Sequence, residues 1–322
     1  MDPLIIFLWH PLSEEGAARL RALDPRVHLI SPADVEADPD LVERIEVVYG
    51  HLPDPWWPRA TRLRWFQSMA VGVDRLVQRP EFRDREIMLT NTRGIQTPAM
   101  VEHAFALLLA WIRQLHMARE AQLACRWEHY GVVEERAQVL MLCGRTLGLL
   151  GVGDIGGAAA RVGRALGMKT IGCRRTGAPH PDLDRIFRPD QLAAFLAEAD
   201  VVLNTLPATP GTRGIMNRDA FAAMKPGAIY VNVGRGASDD TDAMLAALAS
   251  GRLRAALLDV TNPEPLPPEH PLWRMPNVLL TSHYGGLRPD SHAARERLLV
   301  ENTRRYLAGE ALLNLVDLNE GY

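Results

Sequence analysis

Three glycines in the sequence Gly-Val-Gly-Asp-Ile-Gly at residues 151–156 have the spacing of a turn that binds the phosphates of a dinucleotide. The turn follows an apolar run at residues 146–150 and precedes a segment with helical periodicity at residues 156–166. In that setting the first glycine allows a tight turn, the second lets the backbone approach a pyrophosphate, and the third lets the helix pack closely on the strand. We therefore predict a dinucleotide site, against the alternative of a turn that binds nothing. Its predicted contacts in this turn are Gly151, Gly153, Asp154, Ile155 and Gly156.

The residues after the next predicted strand indicate which dinucleotide is preferred. An enzyme that prefers NAD usually has an acidic residue there, which bonds the ribose 2′-hydroxyl. This chain has Arg174, Arg175 and Thr176 instead. Two guanidinium groups and a hydroxyl favour the 2′-phosphate of NADP, because they can neutralise and hydrogen-bond it. We expect NADP(H) to be preferred and NAD(H) to be possible; the alternative is that one or both arginines only cover the surface.

Arg235, Glu264 and His283 lie in loops that follow successive predicted strands. The carboxyl ends of parallel strands meet at one edge of a sheet, so these side chains can converge there. A hydride that reaches a ketone carbon leaves an alkoxide, which needs a proton and a nearby positive charge. A histidine can supply the proton near neutral pH, a carboxylate on its other ring nitrogen would fix its tautomer, and an arginine can hold a substrate carboxylate. Each residue alone is more often structural or solvated, but together they indicate reduction of a carbonyl compound.

Short apolar runs alternate with helical patterns along the chain, which is typical of an α/β fold with parallel sheets. In the first hundred residues we predict strands at 4–9, 27–30, 47–49, 65–69 and 88–90, and helices at 14–23 and 39–44. One long amphipathic helix is predicted over residues 98–127, followed by a loop around residues 130–139.

The second half of the chain repeats the alternation with a different strand count. Six strands are predicted at residues 146–150, 169–173, 201–205, 228–232, 255–259 and 278–281. Helices are predicted at 156–166, 191–197, 219–224 and 242–250, with a helical tail from residue 289 to about residue 307. Six strands in this alternation are typical of a doubly wound parallel sheet.

Composition restricts the classes of partner. The net charge of −3 argues against nucleic acid, because phosphate backbones select a strong basic excess. Cys125, Cys143 and Cys173 have neither metal-ligand nor disulfide-framework spacing, so we predict a reduced, cytoplasmic protein without a metal site. The apolar run at residues 104–112 is far shorter than the ~20 residues of a membrane span. Asp2 stands where a signal peptide carries positive charge.

The chain resembles the D-isomer-specific 2-hydroxyacid dehydrogenase family, and more narrowly its glyoxylate/hydroxypyruvate reductases, over nearly its whole length. The resemblance rests on Ser-Met-Ala-Val-Gly-Val-Asp at 68–74, the turn at 151–156, Asn-Thr-Leu-Pro-Ala-Thr at 204–209, Met-Lys-Pro-Gly-Ala at 224–228, Gly-Arg-Gly at 234–236, and the loops of Glu264 and His283. It implies that Arg235, Glu264 and His283 form the catalytic set.

The resemblance also implies contacts that the residue types alone do not. Backbone amides of Ala70, Val71 and Gly72, with Arg235 and His283, would bind the substrate. Asp259 would contact the nicotinamide carboxamide, Leu206 and Pro207 would line the adenosine side, and Thr212 would contact phosphate. The predicted cofactor contacts outside the turn are Arg174, Arg175, Thr176, Leu206, Pro207, Thr212, Val233, Gly234, Arg235, Asp259, His283 and Gly285.

The implied architecture is two Rossmann-like or flavodoxin-like domains with doubly wound parallel sheets and an active site in the interdomain cleft. Residues 1–99 with 290–322 would form the substrate domain, and residues 100–289 the dinucleotide-binding domain. The resemblance further implies a homodimer joined largely through the cofactor domain and the helix at 98–127. Two departures are Ser282, where many relatives have proline, and Asp239, where an apolar residue is common.

The leading hypothesis is NADPH-dependent reduction of a small 2-oxoacid to a D-2-hydroxyacid, with glyoxylate and hydroxypyruvate as candidate substrates. One alternative is a dinucleotide-sensing interaction protein on the same scaffold, and another is a formate- or phosphite-type dehydrogenase. Outside the catalytic set, His51 is either a residue facing the substrate or a surface histidine. His103 is predicted to have a structural role between the domains.

Overall fold

The computed structural model describes residues 2–127 and 139–321 of the chain. The loop predicted around residues 130–139 lies, except for Val139, outside the described residues. The chain divides into two compact units: Met1–Gln96 with Arg288–Tyr322, and Thr97–Leu287. Each unit is built on one parallel sheet, which confirms the predicted fold class of two parallel-sheet α/β domains.

The first unit contains a sheet whose described strands are ordered β2-β1-β3-β4-β5 and pair in parallel. This is the strand order of flavodoxin-like sheets. All five residues of the apolar strand β1 are buried, as expected for a strand covered on both faces. The strands are β1 (Leu4–Leu8), β2 (Val27–Ile30), β3 (Ile45–Tyr49), β4 (Trp65–Gln67) and β5 (Met88–Thr90); the helices are α1 (Glu14–Leu23), α2 (Pro32–Ala37) and α3 (Pro80–Asp84), with 3₁₀ turns at Pro39–Arg44 and Asp54–Trp56.

The C-terminal helix α10 (Ser291–Ala308) belongs to this first unit, where it packs against α1. The carboxylate of Glu296 accepts hydrogen bonds from the amide and the hydroxyl of Ser13, at 2.7 and 2.6 Å. Ser13 in turn caps α1 by accepting the Gly16 amide. The cap of the first helix is thus held by a residue 283 positions later in the chain, which ties the tail to the N-terminal segment.

The second unit contains a parallel sheet whose described strands are ordered β12-β11-β10-β9-β6-β7-β8. Counted from β6 as the first strand, this is the 3-2-1-4-5-6 order of the Rossmann fold with one strand added. The order reverses between β6 and β9, and ligands bind beyond the carboxyl ends of strands at such a point. The strands are β6 (Thr146–Leu150), β7 (Lys169–Cys173), β8 (Arg185–Phe187), β9 (Val201–Asn204), β10 (Ala228–Asn232), β11 (Leu253–Leu258) and β12 (Val278–Leu280); the helices are α4 (Thr97–Ile112), α5 (Leu115–Leu123), α6 (Asp154–Ala165), α7 (Leu192–Glu198), α8 (Arg218–Ala223) and α9 (Thr241–Ala249).

The sequence prediction omits the short helices α2 and α3, and it was wrong in two further details. The six predicted strands omit β8, an edge strand of three residues with one buried side chain, Phe187, which is too short to show a periodicity. The predicted helix at 98–127 is two helices, because Gln114 adopts a left-handed backbone (φ 57°) and its side-chain amide donates to the Trp111 carbonyl at 2.8 Å. Leu115, the first residue of α5, is 56% exposed although it is apolar.

None of the described helices is long and apolar enough to span a membrane.

Candidate active site

The glycine turn after β6 has the conformation that its sequence requires. Gly151 has a positive φ of +94°, and its amide donates to the carbonyl of Cys173 at 3.0 Å, so the turn lies beside the end of β7. A Cβ on Gly156 would lie 2.2 Å from the Gly151 carbonyl oxygen. The start of α6 therefore packs directly on the turn, and Gly156 is required for that packing.

Gly153 has a different role, because a Cβ there would meet nothing within 4 Å. It is the exposed N-cap residue of α6 and has no side chain to bond the first amides of the helix. A phosphate group fits in the open space beside a helix N-terminus, where it can accept hydrogen bonds from backbone amides that no side chain caps. The turn therefore fits a dinucleotide pyrophosphate at the point where the strand order reverses.

Substituting Gly153 by alanine is expected to weaken dinucleotide binding without unfolding the protein. The added methyl group has room in the protein but occupies the space that a pyrophosphate needs. Such crowding costs about 1–3 kcal/mol, which raises Kd by about fivefold to a hundredfold. Fluorescence titration with NADPH and a thermal melt measure the two effects. The matched control is Gly211→Ala, at an exposed glycine where an added Cβ would lie 4.0 Å from the Thr209 hydroxyl oxygen. Wild-type affinity in Gly153→Ala would contradict the assignment.

Arg174, Arg175 and Thr176 follow β7 directly, next to the glycine turn. Arg174 is partly buried, and its amide donates to the Phe187 carbonyl at 3.1 Å, which anchors the start of the segment on β8. Arg175 and Thr176 are exposed, and the Thr176 hydroxyl accepts the Ala178 amide at 3.3 Å. Two cationic side chains thus lie at the strand end beside the phosphate-binding turn.

The loop after β9 lies against the other side of the turn. The Thr205 hydroxyl donates to the Gly151 carbonyl at 3.0 Å, and a Cβ on Gly151 would lie 3.2 Å from the Leu206 side chain. Thr212 donates its hydroxyl to the Pro207 carbonyl at 2.6 Å and accepts the Thr209 amide at 2.9 Å. In this structure the Thr212 side chain therefore holds its own loop together, and its predicted phosphate contact stays a prediction.

The two glycines that flank Arg235 fix its backbone between neighbouring loops. A Cβ on Gly234 would lie 2.7 Å from the Leu206 carbonyl oxygen, and a Cβ on Gly236 would lie 1.9 Å from the Thr261 carbonyl oxygen. Only glycine permits both approaches. Arg235 is partly buried, and its Nη1 donates to the Gly234 carbonyl at 2.8 Å. Val233 is buried, and its amide donates to the Asn204 carbonyl.

His283 and Glu264 form a direct side-chain pair, in which His283 Nδ1 contacts Glu264 Oε1. Their side chains are 46% and 40% exposed, so the pair is accessible. His283 has a left-handed backbone (φ 54°), and its amide donates to the Asp259 carbonyl at 2.8 Å. Non-glycine residues rarely adopt a left-handed backbone, and those that do are concentrated at functional sites. Because Nδ1 is engaged by the carboxylate, Nε2 is the ring nitrogen available for proton exchange.

The Asp259 carboxylate is fully buried and organises the loop that carries His283. Its Oδ1 accepts the Thr281 hydroxyl at 2.6 Å and the Tyr284 amide at 3.2 Å, and its Oδ2 accepts the Gly285 amide at 3.0 Å. A Cβ on Gly285 would lie 2.8 Å from Oδ2, so glycine is needed for this approach. The predicted nicotinamide contact of Asp259 stays a prediction beside this structural role.

His103 on α4 completes the Asp259 cluster. Its Nε2 lies 2.9 Å from the Thr281 hydroxyl and 3.2 Å from Asp259 Oδ1, and its ring packs edge-on against Tyr284. The sequence predicts a structural role between domains for His103; these three contacts are all within the second unit. The sequence signal that could have revealed this cluster is Asp259 itself, because a buried carboxylate at the end of a strand needs several hydrogen-bond donors nearby.

The predicted substrate loop lies after β4 in the first unit. The Ala70 amide donates to the Ser68 hydroxyl at 3.1 Å, the Ala70 carbonyl accepts the Thr92 amide, and the Val71 carbonyl accepts the Asn91 side chain at 3.0 Å. The loop is therefore anchored on the segment after β5. His51, the other candidate in this unit, is exposed and packs edge-on against Trp9.

A continuous series of contacts joins the glycine turn to the histidine within the second unit. The turn contacts Thr205 and Leu206, and these two residues contact Gly234. Gly236, two residues later, contacts Thr261, and the Thr261 amide donates to Glu264 at 3.5 Å. Glu264 in turn contacts His283. The structure thus brings together the loops of Arg235, Glu264 and His283 beside the phosphate-binding turn. Among residues 2–127 and 139–321, no group of three or more His, Cys, Asp or Glu side chains is arranged to hold a metal ion.

Comparisons with known proteins agree with this geometry. The chain is 34% identical to the glyoxylate reductase of Aeropyrum pernix over 80% of this chain and 78% of that protein. It is 32% identical to the glyoxylate reductase/hydroxypyruvate reductase of Mus musculus over 95% and 96% of the two chains. A D-isomer specific 2-hydroxyacid dehydrogenase from Xanthobacter autotrophicus, solved in complex with NADPH and MES, has a TM-score of 0.82 at 31% identity with full coverage of both chains.

The match to a protein family covers more than half of the chain. Residues 105–285 match the family described as D-isomer specific 2-hydroxyacid dehydrogenase, NAD binding domain. The chain therefore belongs to the D-isomer specific 2-hydroxyacid dehydrogenase family.

Proposed function

We propose that this protein reduces a small 2-oxoacid to the corresponding D-2-hydroxyacid with NADPH, and that glyoxylate and hydroxypyruvate are among its substrates. The observation that carries the proposal is the pair of His283 and Glu264 on the same sheet edge as Arg235 and the glycine turn. A dinucleotide turn alone does not specify a reaction, whereas a positioned proton donor beside an arginine suits carbonyl reduction.

Each member of the catalytic set has a separate task. NADPH, when bound, would supply a hydride to the carbonyl carbon. Arg235 would hold the substrate carboxylate and polarise the carbonyl oxygen as negative charge develops there. His283 would give the Nε2 proton to that oxygen, so that the C=O bond becomes H–C–OH. Glu264 would bind the Nδ1 side of His283, which fixes the tautomer and stabilises the protonated ring.

The domain roles follow from the same assignment. We assign dinucleotide binding to residues 100–289 and substrate binding to residues 1–99 with 290–322. The backbone amides of Ala70, Val71 and Gly72 are the proposed ligands of the substrate carboxylate in the latter. The first of these amides also donates to Ser68, so Val71 and Gly72 carry more of this role.

A panel of 2-oxoacids assayed with NADPH and with NADH tests the function directly. We expect NADPH oxidation with glyoxylate and hydroxypyruvate and a D-configured product wherever the product is chiral. If no 2-oxoacid oxidises either cofactor, the proposal is wrong. Reduction of NADP⁺ by formate or phosphite in the same panel would instead favour that dehydrogenase type, and a cofactor-induced change of assembly without turnover would favour a sensing protein.

Replacing both arginines, Arg174→Ala with Arg175→Ala, is expected to lower kcat/KM for NADPH while leaving that for NADH nearly unchanged. Each charge-assisted bond to the 2′-phosphate contributes about 1.5–3 kcal/mol, so the loss of one bond from each arginine is expected to lower kcat/KM for NADPH by about a hundredfold or more. Steady-state assays with the two cofactors at fixed 2-oxoacid measure the ratio. The double substitution Arg218→Ala with Arg213→Ala, at two exposed arginines, controls for charge. Equal losses with both cofactors would refute the 2′-phosphate role.

A solved structure supports this choice of cofactor. It is an NADPH-dependent glyoxylate/hydroxypyruvate reductase from Sinorhizobium meliloti in complex with NADP, and it is 29% identical to this chain with a TM-score of 0.79.

We further propose that the protein is a cytoplasmic homodimer. Leu115, Leu123 and Trp127, on and just after α5, are 56%, 68% and 89% exposed, which is typical of an apolar surface that a partner covers. Cys125 and Cys143 are exposed free thiols, which suit a reducing compartment. Light scattering should give twice the chain mass, and Leu123→Glu should reduce it; a monomeric wild-type protein would contradict the proposal.

A further inference from the structure

Five polar side chains form a buried network beneath the backbone that carries Arg235. They are Asn204, Tyr230, Asn232, Ser238 and Asp239, none more than 4% exposed. We call them the Asp239 network. It joins the ends of β9 and β10 to the short 3₁₀ turn Gly236–Ser238. None of these side chains takes part in the proposed reaction, so their presence in an otherwise apolar interior needs another explanation.

The two asparagines fix the direction of the hydrogen bonds that Tyr230 and Asn232 make to Asp239. Asn204 Oδ1 accepts the Leu206 amide at 3.0 Å and Asn232 Oδ1 accepts the Gly234 amide at 2.9 Å, so both NH₂ groups must point inward as donors. Asn204 Nδ2 donates to the Tyr230 hydroxyl at 2.8 Å, and that hydroxyl donates to Asp239 Oδ1 at 2.5 Å. Asn232 Nδ2 donates to Asp239 Oδ2 at 2.8 Å. The Ser238 hydroxyl lies 3.1 Å from Oδ1 as a third neighbour. Because Tyr230 donates to Oδ1 and Asn232 to Oδ2, both oxygens of residue 239 act as acceptors, as those of an ionised carboxylate do.

The same side chains hold the Gly234–Gly236 segment. Asn232 accepts the Gly234 amide, and the Ser238 hydroxyl lies 2.7 Å from the Arg235 carbonyl oxygen, to which it donates. Ser238 is itself held by Asn204 Nδ2 at 2.7 Å, and its hydroxyl lies 3.1 Å from Asp239 Oδ1. The backbone on both sides of Arg235 is thus bonded to residues that Asp239 orients.

A buried carboxylate without a cationic partner costs stability. Among the described residues no salt bridge reaches Asp239, and burial raises its pKa from 3.8 to about 6 despite three hydrogen bonds that lower it. An apolar pair at residues 230 and 239 would remove this cost. A network that lowers stability is expected where it serves function.

We propose that Asp239 is a positioning residue, which acts through Asn232 and Ser238 to hold the backbone that presents Arg235 to the substrate. This role rests on the proposed 2-oxoacid reduction. Asp239 touches neither substrate nor cofactor in the proposal, and its effect on turnover passes entirely through the Gly234–Gly236 segment.

The role makes activity depend on pH. Tyr230 on β10 is the titratable group that contacts Asp239, and burial keeps its own pKa well above 10, so it remains neutral. Ser238 and Asn232 are uncharged, and Met216, whose backbone bridges to Asp239, is apolar. Asp239 gains a proton as pH falls through about 6, and the new O–H weakens an acceptor that Tyr230 or Asn232 uses. Below that pH, kcat/KM is expected to fall about tenfold per pH unit as the ionised fraction falls.

Stability has the opposite dependence on pH. The pKa of Asp239 is higher in the folded protein than its ordinary value of 3.8, so the folded state binds the proton more tightly. The contribution of Asp239 to the free energy of unfolding is therefore largest below the unfolded pKa and is lost as pH rises through about 6. At pH 8 the ionised carboxylate therefore lowers the free energy of unfolding.

The double substitution Tyr230→Phe with Asp239→Val tests the proposal. It removes the carboxylate together with Tyr230, one of its donors, while Asn204 keeps Ser238 as a partner and Asn232 keeps the Arg235 carbonyl at 3.4 Å. At pH 8 we expect an unchanged or higher melting temperature, kcat/KM for the 2-oxoacid lower by about tenfold or more, and a Kd for NADPH near wild type. The fall in kcat/KM that Asp239 causes below pH 6 should be absent.

Asp239→Asn is the second variant, because the amide resembles the protonated acid in shape and places a donor opposite Asn232 or Tyr230. It should lower kcat/KM at pH 8 even where the double variant does not fold. Asp242→Asn, an exposed aspartate on α9, removes the same charge and should leave activity unchanged. Wild-type kcat/KM together with the wild-type low-pH decline in either folded Asp239 variant would overturn the proposal. A lower melting temperature with unchanged kinetics would also overturn it.

A measurement made without substrate distinguishes failure of the positioning role from failure of the proposed function. Hydrogen exchange measured by mass spectrometry at pH 8 should be faster in the peptide covering residues 233–239 of Asp239→Asn than in wild type, with other peptides of the second unit unchanged. If the wild-type protein turns over no 2-oxoacid, the proposed function fails, whereas the exchange result still decides whether Asp239 holds this segment. Unchanged exchange at residues 233–239 would refute the positioning role.

Discussion

Replacing His283 by alanine is expected to lower kcat for 2-oxoacid reduction by about 10²–10⁴-fold while the Kd for NADPH stays close to wild type. The alkoxide that forms on hydride transfer then lacks its proton donor, and Glu264 loses the ring that it contacts. The glycine turn and the arginines after β7 are unaffected, because they reach His283 only through intervening loops. Single-turnover assays with preformed NADPH complex measure the chemical step directly.

Two further variants make this result specific to His283. His28→Ala removes an exposed histidine on β2 and should leave kcat unchanged. Glu264→Gln keeps the side-chain shape and a hydrogen-bond acceptor but removes the charge, so a smaller loss is expected than for His283→Ala. If His283→Ala keeps wild-type kcat, another group donates the proton and the catalytic assignment is wrong.

The fold and the cofactor turn were predictable because their signals are local. Glycine spacing, an apolar strand before it and a helical period after it specify the turn at residues 151–156, and strands such as Thr146–Leu150 and Ala228–Asn232 were placed at their observed bounds. Buried parallel strands are nearly continuous apolar runs, which the sequence displays directly. The short edge strand β8 was missed because three residues with one buried side chain carry no such run.

The break between α4 and α5 was missed for a different reason. The apolar spacing continues across Gln114, so a periodicity argument extends the helix, but the backbone turns at that residue and leaves Leu115 exposed. Apolar periodicity shows which side chains could share one face of a helix, but it does not reveal a single residue whose left-handed backbone ends that helix.

The supporting residues of the site were the least predictable part. Arg235, Glu264 and His283 could be named from residue type and strand position, whereas the cluster of Asp259, Thr281 and His103 joins residues up to 178 positions apart. The sequence marks Asp239 only as a polar residue in an unusual place. Its donors come from β9, β10 and its own turn, and only the folded chain brings them to one carboxylate.

Replacing Arg235 is the second substitution expected to have a very large effect. Gly234 and Gly236 fix the backbone on both sides of Arg235, so the loss of its side chain should not move the segment. A guanidinium can make two parallel hydrogen bonds to a carboxylate, and each is worth about 1.5–3 kcal/mol, so Arg235→Ala should reduce kcat/KM by about 10²–10⁴-fold. Arg218→Ala, at an exposed arginine on α8, is the control for removing one positive charge.

Arg235→Lys distinguishes charge from geometry in the same position. Lysine keeps the positive charge but is a compact point charge without the planar fork, so it should recover only part of the loss. If Arg235 both binds the carboxylate and polarises the carbonyl, KM should rise and kcat should fall together, because the first interaction exists before the transition state and the second grows within it. Added guanidinium should restore part of the activity of Arg235→Ala and none of His283→Ala. A change in KM alone would restrict Arg235 to substrate binding, and wild-type kinetics in Arg235→Ala would remove it from the site.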